Sequence, residues 1–509
     1  MILQDVWNLE LDFSSQRPIL IEPVEEPISS DAGLLLFGQL DQQLDFTRSL
    51  AAQLQDSRQA PDHSFLQMVR SRIYGILAGY EDQNDHDALR SDPVFKLLAG
   101  RLPDEDDLAS QPTLSRFENS ILASSLLQLE EWFIHRFVES FDEPPREITL
   151  DLDVFDDPTH GQQQLTLFHG FYQQYQYLVR VITCAQNDQV VLPVLLHGTA
   201  HAALGAHVDI ARVVRALRAR FPDVRIHVRA DSGYAVPAFY ETNESLGVDY
   251  TVGIGMNAVL KRYSADLLQQ AVDQYEQTGQ PQRLLTGFFY QAGSWPQPRW
   301  VVVKCEAHAQ GTNRRAVVTN RPGAPVVPQG AYEEYAERGE SENRNKELKC
   351  ELGGDRLSDH RYMANCFRMF LHCAAANLLV LMRRQIAASP VESATEVLIE
   401  IPREPAADNE VGNPSAAETL VDREQHDSAH VCHEVPAEAV GGRPRRQQFN
   451  HRRQADPLGE GHACTWRLML IKVAARIQVT ARRVRVLLSG CWPFLPFFRD
   501  VGRALVGDS

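Results

Sequence analysis

One short stretch of the sequence carries a regular row of charged side chains. It reads YAERGESENRNKELK, residues 335 to 349, and places Arg338, Glu342, Lys346 and Lys349 after Tyr335. An α-helix turns about 100° per residue, so offsets of 3, 7, 11 and 14 fall within roughly 60° of Tyr335. We therefore predict a helix with one face that presents a phenol, a guanidinium, a carboxylate and two ammonium groups.

Two strand-like segments supply further carboxylates. EITLDLDVFDD alternates in polarity, with Asp151, Asp153 and Phe155 on one face, and Asp231 ends VRIHVRAD. Carboxylates on neighbouring strands of a mixed sheet can converge with Glu342 from a covering helix. Three carboxylates supply oxygen ligands for two Mg²⁺ ions about 4 Å apart, which activate a water or a 3′-hydroxyl at a phosphodiester. The pattern predicts such a site.

Each part of this constellation also has a simpler interpretation. An aspartate at a strand end is most often a turn or cap residue, and a polar helix face is usually a solvent face. Because Asp151 and Asp153 share a face, periodicity leaves open which of them is the ligand.

The elements that must position these residues form a mixed α/β pattern. Residues 30 to 140 have helical spacing, and from residue 144 three strands are followed by helix, strand, helix and strand. We predict six segments: helices in 1–143, α/β structure in 144–258, a β-rich insertion in 259–328, the charged helix and an apolar helix in 329–387, a disordered acidic-to-basic linker in 388–462, and basic helices in 463–509.

Composition places the chain among soluble proteins. The eight cysteines are scattered without a CxxC pair, which is typical of reduced thiols and a cytoplasmic protein. The N-terminus has no signal-peptide pattern, and the longest apolar run is about ten residues, whereas a membrane span needs about 20. We therefore expect a cytoplasmic, nucleoid-associated protein without a membrane partner.

The formal net charge of −17 hides a basic C-terminal part. From Gly441 to Val486 there are 11 basic residues against Asp456 and Glu460. Within it, TWRLMLIKVAARIQVTARRVRVLLSG has several arginines around an apolar body, which predicts a helix that packs on one side and meets phosphates on the other. A solvated amphipathic helix is the alternative.

A second candidate for nucleic-acid contact is QPTLSRFENSI in the N-terminal region. As a helix it presents Gln111, Ser115, Arg116 and Asn119 on or near one face, and such side chains can contact base edges or phosphates. A surface helix of a bundle is an equally good interpretation.

The spacing Y-x2-R-x3-E-x6-K resembles the signature of bacterial insertion-sequence DDE transposases of the insertion-sequence-four superfamily. LDLDVFDDPTHGQQ and VRADSGYA look like the two aspartate motifs of that superfamily. Further segments, among them GYEDQNDHDALRSDPVFKLLAG, FHGFYQQYQYL and DRLSDHRYMANCFRMFLHCAAANLL, resemble the insertion-sequence-thirteen-eighty family. The resemblance runs from about residue 15 to 386 and resumes at Thr465.

This resemblance implies an RNase H-like catalytic domain, formed by 144–258 and 329–387 and interrupted by the β-rich insertion, with a DNA-binding region in 1–143. It implies Mg²⁺ or Mn²⁺, two ions in all, cleavage at terminal inverted repeats, and transfer of 3′ ends into target DNA. A homodimer on double-stranded DNA is expected. The implied metal ligands are Asp153, Asp231 and Glu342. Tyr335, Arg338 and Lys349 are implied to contact end phosphates, and Lys346 joins them on the same face.

Two features depart from the family pattern. Phe155 stands where a small hydroxyl residue is expected after the first aspartate, and it is expected to crowd the metal site. The stretch from about 400 to 462 is longer than a family connector. Both features motivate the alternative of a decayed or domesticated transposase that binds DNA without catalysis.

Overall fold

The architecture is taken from a computed structural model, which describes residues 9–11, 19–21, 23–388 and 462–506. The predicted disordered linker lies outside the described residues except for its two end positions. All seven cysteines of the described residues are free thiols.

The helices and strands follow the order that the periodicity predicts over most of the chain. The helices are α1 (Leu34–Leu44), α2 (Phe46–Ala51), α3 (Phe65–Ala78), α4 (His86–Leu89), α5 (Pro93–Leu98), α6 (Gln111–Asn119), α7 (Ala123–Glu139), α8 (Ala206–Arg220), α9 (Pro237–Ser245), α10 (Ala258–Tyr263), α11 (Ala265–Thr278), α12 (Pro328–Ala336), α13 (Gly339–Lys346), α14 (Tyr362–Ala388), α15 (Ala463–Trp466) and α16 (Leu495–Val506). The strands are β1 (Leu9–Leu11), β2 (Ile19–Ile21), β3 (Ile28–Ser29), β4 (Glu147–Pro158), β5 (Leu167–His169), β6 (Gln174–Cys184), β7 (Val190–Leu196), β8 (Arg225–Ala230), β9 (Asp249–Ile254), β10 (Gln282–Tyr290), β11 (Arg299–His308), β12 (Gly311–Thr319), β13 (Ala475–Thr480) and β14 (Arg483–Leu488).

A mixed nine-stranded sheet forms the centre of the fold. Its strands run in the order β10-β11-β12-β9-β8-β4-β6-β5, and β7 also pairs with β6. The pairs β4–β8 and β8–β9 are parallel, whereas β4–β6 and β9–β12 are antiparallel. The three strands of the predicted β-rich insertion therefore extend the central sheet through β12 and do not form a sheet of their own.

Each face of the sheet is covered by its own hydrophobic core, because β4 alternates in polarity. Leu150 and Leu152 belong to a second core with α8 and α9, whereas Phe155 belongs to a first core. The first core joins side chains from residues 32–133 with others from 348–386 and 463–505. The predicted segment boundaries therefore do not coincide with separate cores on this face.

Helix α14 is the central helix of the first core. Among the described residues it is the one helix, over Tyr362–Ala387, that is long and apolar enough to cross a membrane by length and composition. Of its most apolar window, 83% is buried inside the protein. Core helices of soluble proteins pass the same test, so this is weak evidence for a membrane span.

The prediction of one basic C-terminal helix is wrong. After α15 and a π-helical turn at Arg467–Ile471, the chain forms the antiparallel hairpin β13–β14. Apolar and basic residues alternate along Arg483, Val484, Arg485 and Val486, which is a period of two and favours a strand. The N-terminal region is likewise not all-helical, since β3 pairs with β13 and β1 pairs with β2.

Candidate active site

The register of the parallel pair β4–β8 brings two of the predicted carboxylates side by side. Leu152 is the partner of Ala230; Asp153 follows Leu152 on β4, and Asp231 directly follows the last residue of β8. Neighbouring strands lie about 4.8 Å apart, so the two aspartates start from adjacent positions. Asp231 also accepts a hydrogen bond from the Gly233 N–H at 2.9 Å, which fixes its side chain at the start of a 3₁₀ turn.

Asp151 and Asp153 lie in different surroundings, although they share a strand face. Asp151 is 2% exposed and accepts two hydrogen bonds from Arg229, at 2.6 and 2.7 Å. Its carboxylate is thus fully engaged by a buried partner. The Asp153 side chain is 15% exposed and faces the helix that carries Glu342.

The predicted charged helix exists as two successive helices and a final π-helical turn. Helix α12 ends at Ala336, α13 begins at Gly339, and Glu347–Glu351 forms the π turn. At the junction the Arg338 N–H donates to the Tyr335 carbonyl at 3.0 Å. The five side chains therefore do not lie on one straight helix, although the chain continues in the same helical sense.

Buried polar contacts hold these helices against the sheet. Arg229 of β8 donates to the Glu334 carbonyl of α12 at 2.6 Å. The hydroxyls of Thr183 on β6 and Ser341 on α13 lie 3.1 Å apart. These contacts hold α12 and the start of α13, directly before Glu342, against the sheet.

Arg338 lies between two of the three predicted metal ligands. Its guanidinium is 3.1 Å from Asp153 Oδ2 and 2.5 Å from Glu342 Oε1. It also lies over the Tyr335 ring, 5.8 Å from the ring centroid. The Tyr335 hydroxyl fits against Gly253 of β9, where an added Cβ would be 2.8 Å from the hydroxyl oxygen.

The electrostatics of the site favour a bound cation. The pKa of Asp153 is raised to about 6, chiefly by burial; the charges of Asp231 and Glu342 contribute to the rise and Arg338 opposes it. Burial also raises the pKa of Asp231, while Arg338 opposes the rise. Burial lowers the pKa of Arg338, but Tyr335 and the carboxylates outweigh this effect and raise it above its usual value.

No group of three or more His, Cys, Asp or Glu within the described part of the chain is arranged to hold a metal ion. The reason is visible at Arg338, toward which Asp153 and Glu342 both turn. The donor set nevertheless fits a hard divalent cation, because the charges of Asp231 and Glu342 raise the pKa of Asp153 and the charge of Glu342 raises the pKa of Asp231. Asp153, Asp231 and Glu342 are therefore the residues that would hold such ions.

The predicted DNA-contacting residues occupy different environments. Lys346 is exposed on the last turn of α13. Lys349 is half-buried and forms an ion pair with Asp156 at 2.6 Å. Tyr335 and Arg338 are directed into the carboxylate site. The structure thus brings Arg338 and Glu342 to Asp153, and it directs Lys349 to a different acidic residue.

Sequence reasoning missed two residues beside this site. Tyr172 is half-buried, and burial together with Asp156, Asp231 and Asp153 raises its pKa, which places the phenol near the carboxylates. Asp156 was overlooked because it lies on the opposite strand face from Asp153. The high content of aromatic residues in FHGFYQQYQYL is the sequence signal by which Tyr172 could have been found.

A mixed sheet with carboxylates on adjacent parallel strands, covered by a helix with a third, is consistent with an RNase H-like transposase fold. The family model described as transposase DDE domain, group 1, matches residues 12–399, and the chain belongs to this family. A comparison with curated proteins gives no match. Membership identifies a transposase of mobile elements, and DDE transposases act on DNA and generally depend on divalent metal ions.

Proposed function

We propose that this chain cuts DNA at the terminal inverted repeats of a mobile element and transfers the freed 3′ ends into target DNA. Membership of the DDE transposase family supports this reaction class. The observation that carries the assignment to this site is the matched position of Asp153 and Asp231 on β4 and β8. Glu342 completes the set through its shared partner Arg338.

When bound to such carboxylates, two divalent cations, Mg²⁺ or Mn²⁺, would polarise a phosphate and activate a hydroxyl. Asp153 favours a cation because burial and like charges destabilise its free carboxylate. Arg338 suits bidentate contact with a phosphate, whereas Lys346 and Lys349 act as point charges. Tyr335 positions Arg338 by lying beneath its guanidinium.

Nicking and strand-transfer assays with DNA that carries the ends of the element test this proposal. In the presence of Mg²⁺ or Mn²⁺ we expect both products from the wild-type chain. Asp231→Asn and Glu342→Gln should lose both products while DNA binding persists. Glu276→Gln, which changes an exposed carboxylate on α11, is the matched control and should retain activity. Wild-type rates in either site variant would show that the assigned roles are wrong.

A second candidate function is DNA binding without catalysis. Two observations favour it: Arg338 holds Asp153 and Glu342 in ion pairs, and Phe155 replaces the small hydroxyl residue of the family pattern. Phe155 is 7% exposed and packs in the first core. If the wild-type chain binds intact terminal repeats but yields no product with either ion, this second function is the correct one.

We further propose that the chain acts as a homodimer on double-stranded DNA in the cytoplasm, and that it belongs to the insertion-sequence-thirteen-eighty group. The sequence blocks that follow one another in the order of that group support the assignment. The homodimer is tested by measuring the mass of the complex with one DNA end and of the complex with two paired ends. The complex with two paired ends should contain twice the protein mass of the complex with one end. A single protein chain on paired ends would contradict it.

A further inference from the structure

A cleft of about 530 Å³ opens between α6 and two loops, residues 82–84 and 358–361. We call it the polar cleft. Three side chains of α6 line it, Gln111, Ser115 and Asn119, and their spacing of four residues places them on one helix face. The face that periodicity marked as a candidate for base contact is therefore one wall of a concave site.

Buried ion pairs hold this wall rigidly. Glu118, which is fully buried, accepts a hydrogen bond from Arg72 at 2.9 Å and another from Arg368. Asn119 Nδ2 donates to Asp359 Oδ2 at 2.8 Å and so ties α6 to the second loop. A site built on such fixed partners loses little conformational entropy when a ligand binds.

Gln83 supplies an independent sign of a ligand. Its side chain lines the polar cleft and is 5% exposed. Among the described residues its Nε2 group is buried and has no hydrogen-bond partner. A buried donor without a partner is unfavourable, so a ligand that accepts a hydrogen bond there would be stabilised.

The chemistry of the polar cleft selects a neutral ligand with both donors and acceptors. Two aspartates and two arginines line it, so their formal charges cancel and a simple anion gains little. Gln83, Asn84 and Gln111 each carry an amide, which presents a donor and an acceptor together. A nucleobase edge has the complementary pattern, and a side-chain amide pairs with adenine through two hydrogen bonds.

The polar cleft adjoins the strand that carries Asp153. The carbonyl of His360, in the second loop, accepts a hydrogen bond at 2.9 Å from the Gln164 N–H, in the loop that follows β4. The polar cleft and Asp153 are thus connected through β4 and the loop that follows it. We propose that the polar cleft binds one base of the DNA substrate, preferably adenine. This proposal rests on the proposed function, because that function supplies the DNA.

Selection from a library of random-sequence duplexes tests this inference without any cleavage step. The full-length wild-type chain and the variants Gln111→Ala and Gln83→Met are compared by sequencing the bound DNA. We expect a preference for adenine at one position, reduced about tenfold in each variant. Gln128→Ala is the matched control, because Gln128 carries the same amide on an exposed position of α7 and does not line the polar cleft.

Direct binding of adenosine, measured by saturation-transfer NMR, gives a second readout. It needs no cleavage, and its comparison of adenosine with thymidine is made on the wild-type chain. We expect adenosine signals with the wild-type chain, weaker thymidine signals, and loss of the adenosine signals with Gln111→Ala. An unchanged base preference in both variants, or equal signals for the two nucleosides, would overturn the inference. Cleavage activity that persists beside such a result would leave the proposed function intact, whereas loss of all DNA binding would overturn both.

Discussion

Asp157, at the end of β4, is a buried carboxyl whose replacement by asparagine should stabilise the protein at neutral pH. The residue is 0% exposed, and neither of its carboxyl oxygens has a hydrogen-bond partner among the described residues. The Leu357 backbone lowers the pKa of Asp157, but it makes no hydrogen bond to either carboxyl oxygen. The pKa of Asp157 is raised to about 8, chiefly by burial, with a smaller contribution from the charges of Asp355 and Asp156.

The sign and size of the effect follow from this pKa. An aspartate in an unfolded chain has a pKa of about 3.9, so between pH 4 and pH 8 the folded state binds more protons than the unfolded state. The free energy of unfolding therefore falls as the pH rises through this window. At about 1.4 kcal/mol per pH unit, the loss reaches about 4 kcal/mol at pH 7, and Asp157→Asn removes it.

Urea denaturation of the wild-type chain and Asp157→Asn at pH 5, 6, 7 and 8 measures the difference. We expect the variant to gain about 3 kcal/mol over the wild type between pH 5 and pH 7. Asp156→Asn is the control. Burial raises the pKa of Asp156, but the hydrogen bond and charge of Lys349 together with the hydrogen bond from Gln174 outweigh burial and lower the pKa, which keeps Asp156 ionised in both states across this range. A stability difference for Asp157→Asn that is the same at pH 5 and pH 8 would refute the reasoning.

Two further predictions concern the packing around the site. Gly253→Ala should clash with the Tyr335 hydroxyl, lower the melting temperature and reduce activity. Adding Tyr335→Phe in the same chain should restore much of the loss in melting temperature, because it removes the hydroxyl oxygen that would lie 2.8 Å from the new Cβ. Arg229→Ala should cost about 3–5 kcal/mol in the free energy of unfolding, because it leaves the Asp151 carboxylate buried without its partner. Arg225→Ala, at an exposed position of the same strand, is the control and should change stability by less than about 1 kcal/mol.

The strand alternation in the sequence was sufficient to place Asp153 and Asp231 on predicted strands, and the structure has both strands. Alternation was not sufficient to choose between Asp151 and Asp153, because the choice depends on a residue of the neighbouring strand. In the register of β4 and β8, Arg229 is the direct partner of Asp151. Register is set by pairing between distant segments, and a single sequence contains no direct signal for it.

The C-terminal hairpin shows a different limit of periodicity. Between residues 465 and 490 apolar residues occur at spacings that suit both a helix and a strand, and the helical spacing predicts the arginines on the polar side of a helix. Pairing with β3 adds a partner strand from more than 400 residues away. Tertiary pairing of this kind overrides local propensity, since strand formation depends on a neighbouring strand. For the same reason, the pairing of β12 with β9 could not be predicted from the sequence.

The charged helix face was predicted as a unit, and in the structure two of its cations pair with carboxylates of β4. Arg338 and Lys349, predicted to contact phosphates, pair with Asp153 and Asp156 of β4. Both pairs are partly buried, where an unpaired cation or carboxylate would be costly, so each charge neutralises the nearest opposite one. A phosphate or a divalent cation competes for these same groups. The spacing of the cations therefore serves the folded state and the proposed DNA contact alike, because both require positive charge opposite an anion at the same place.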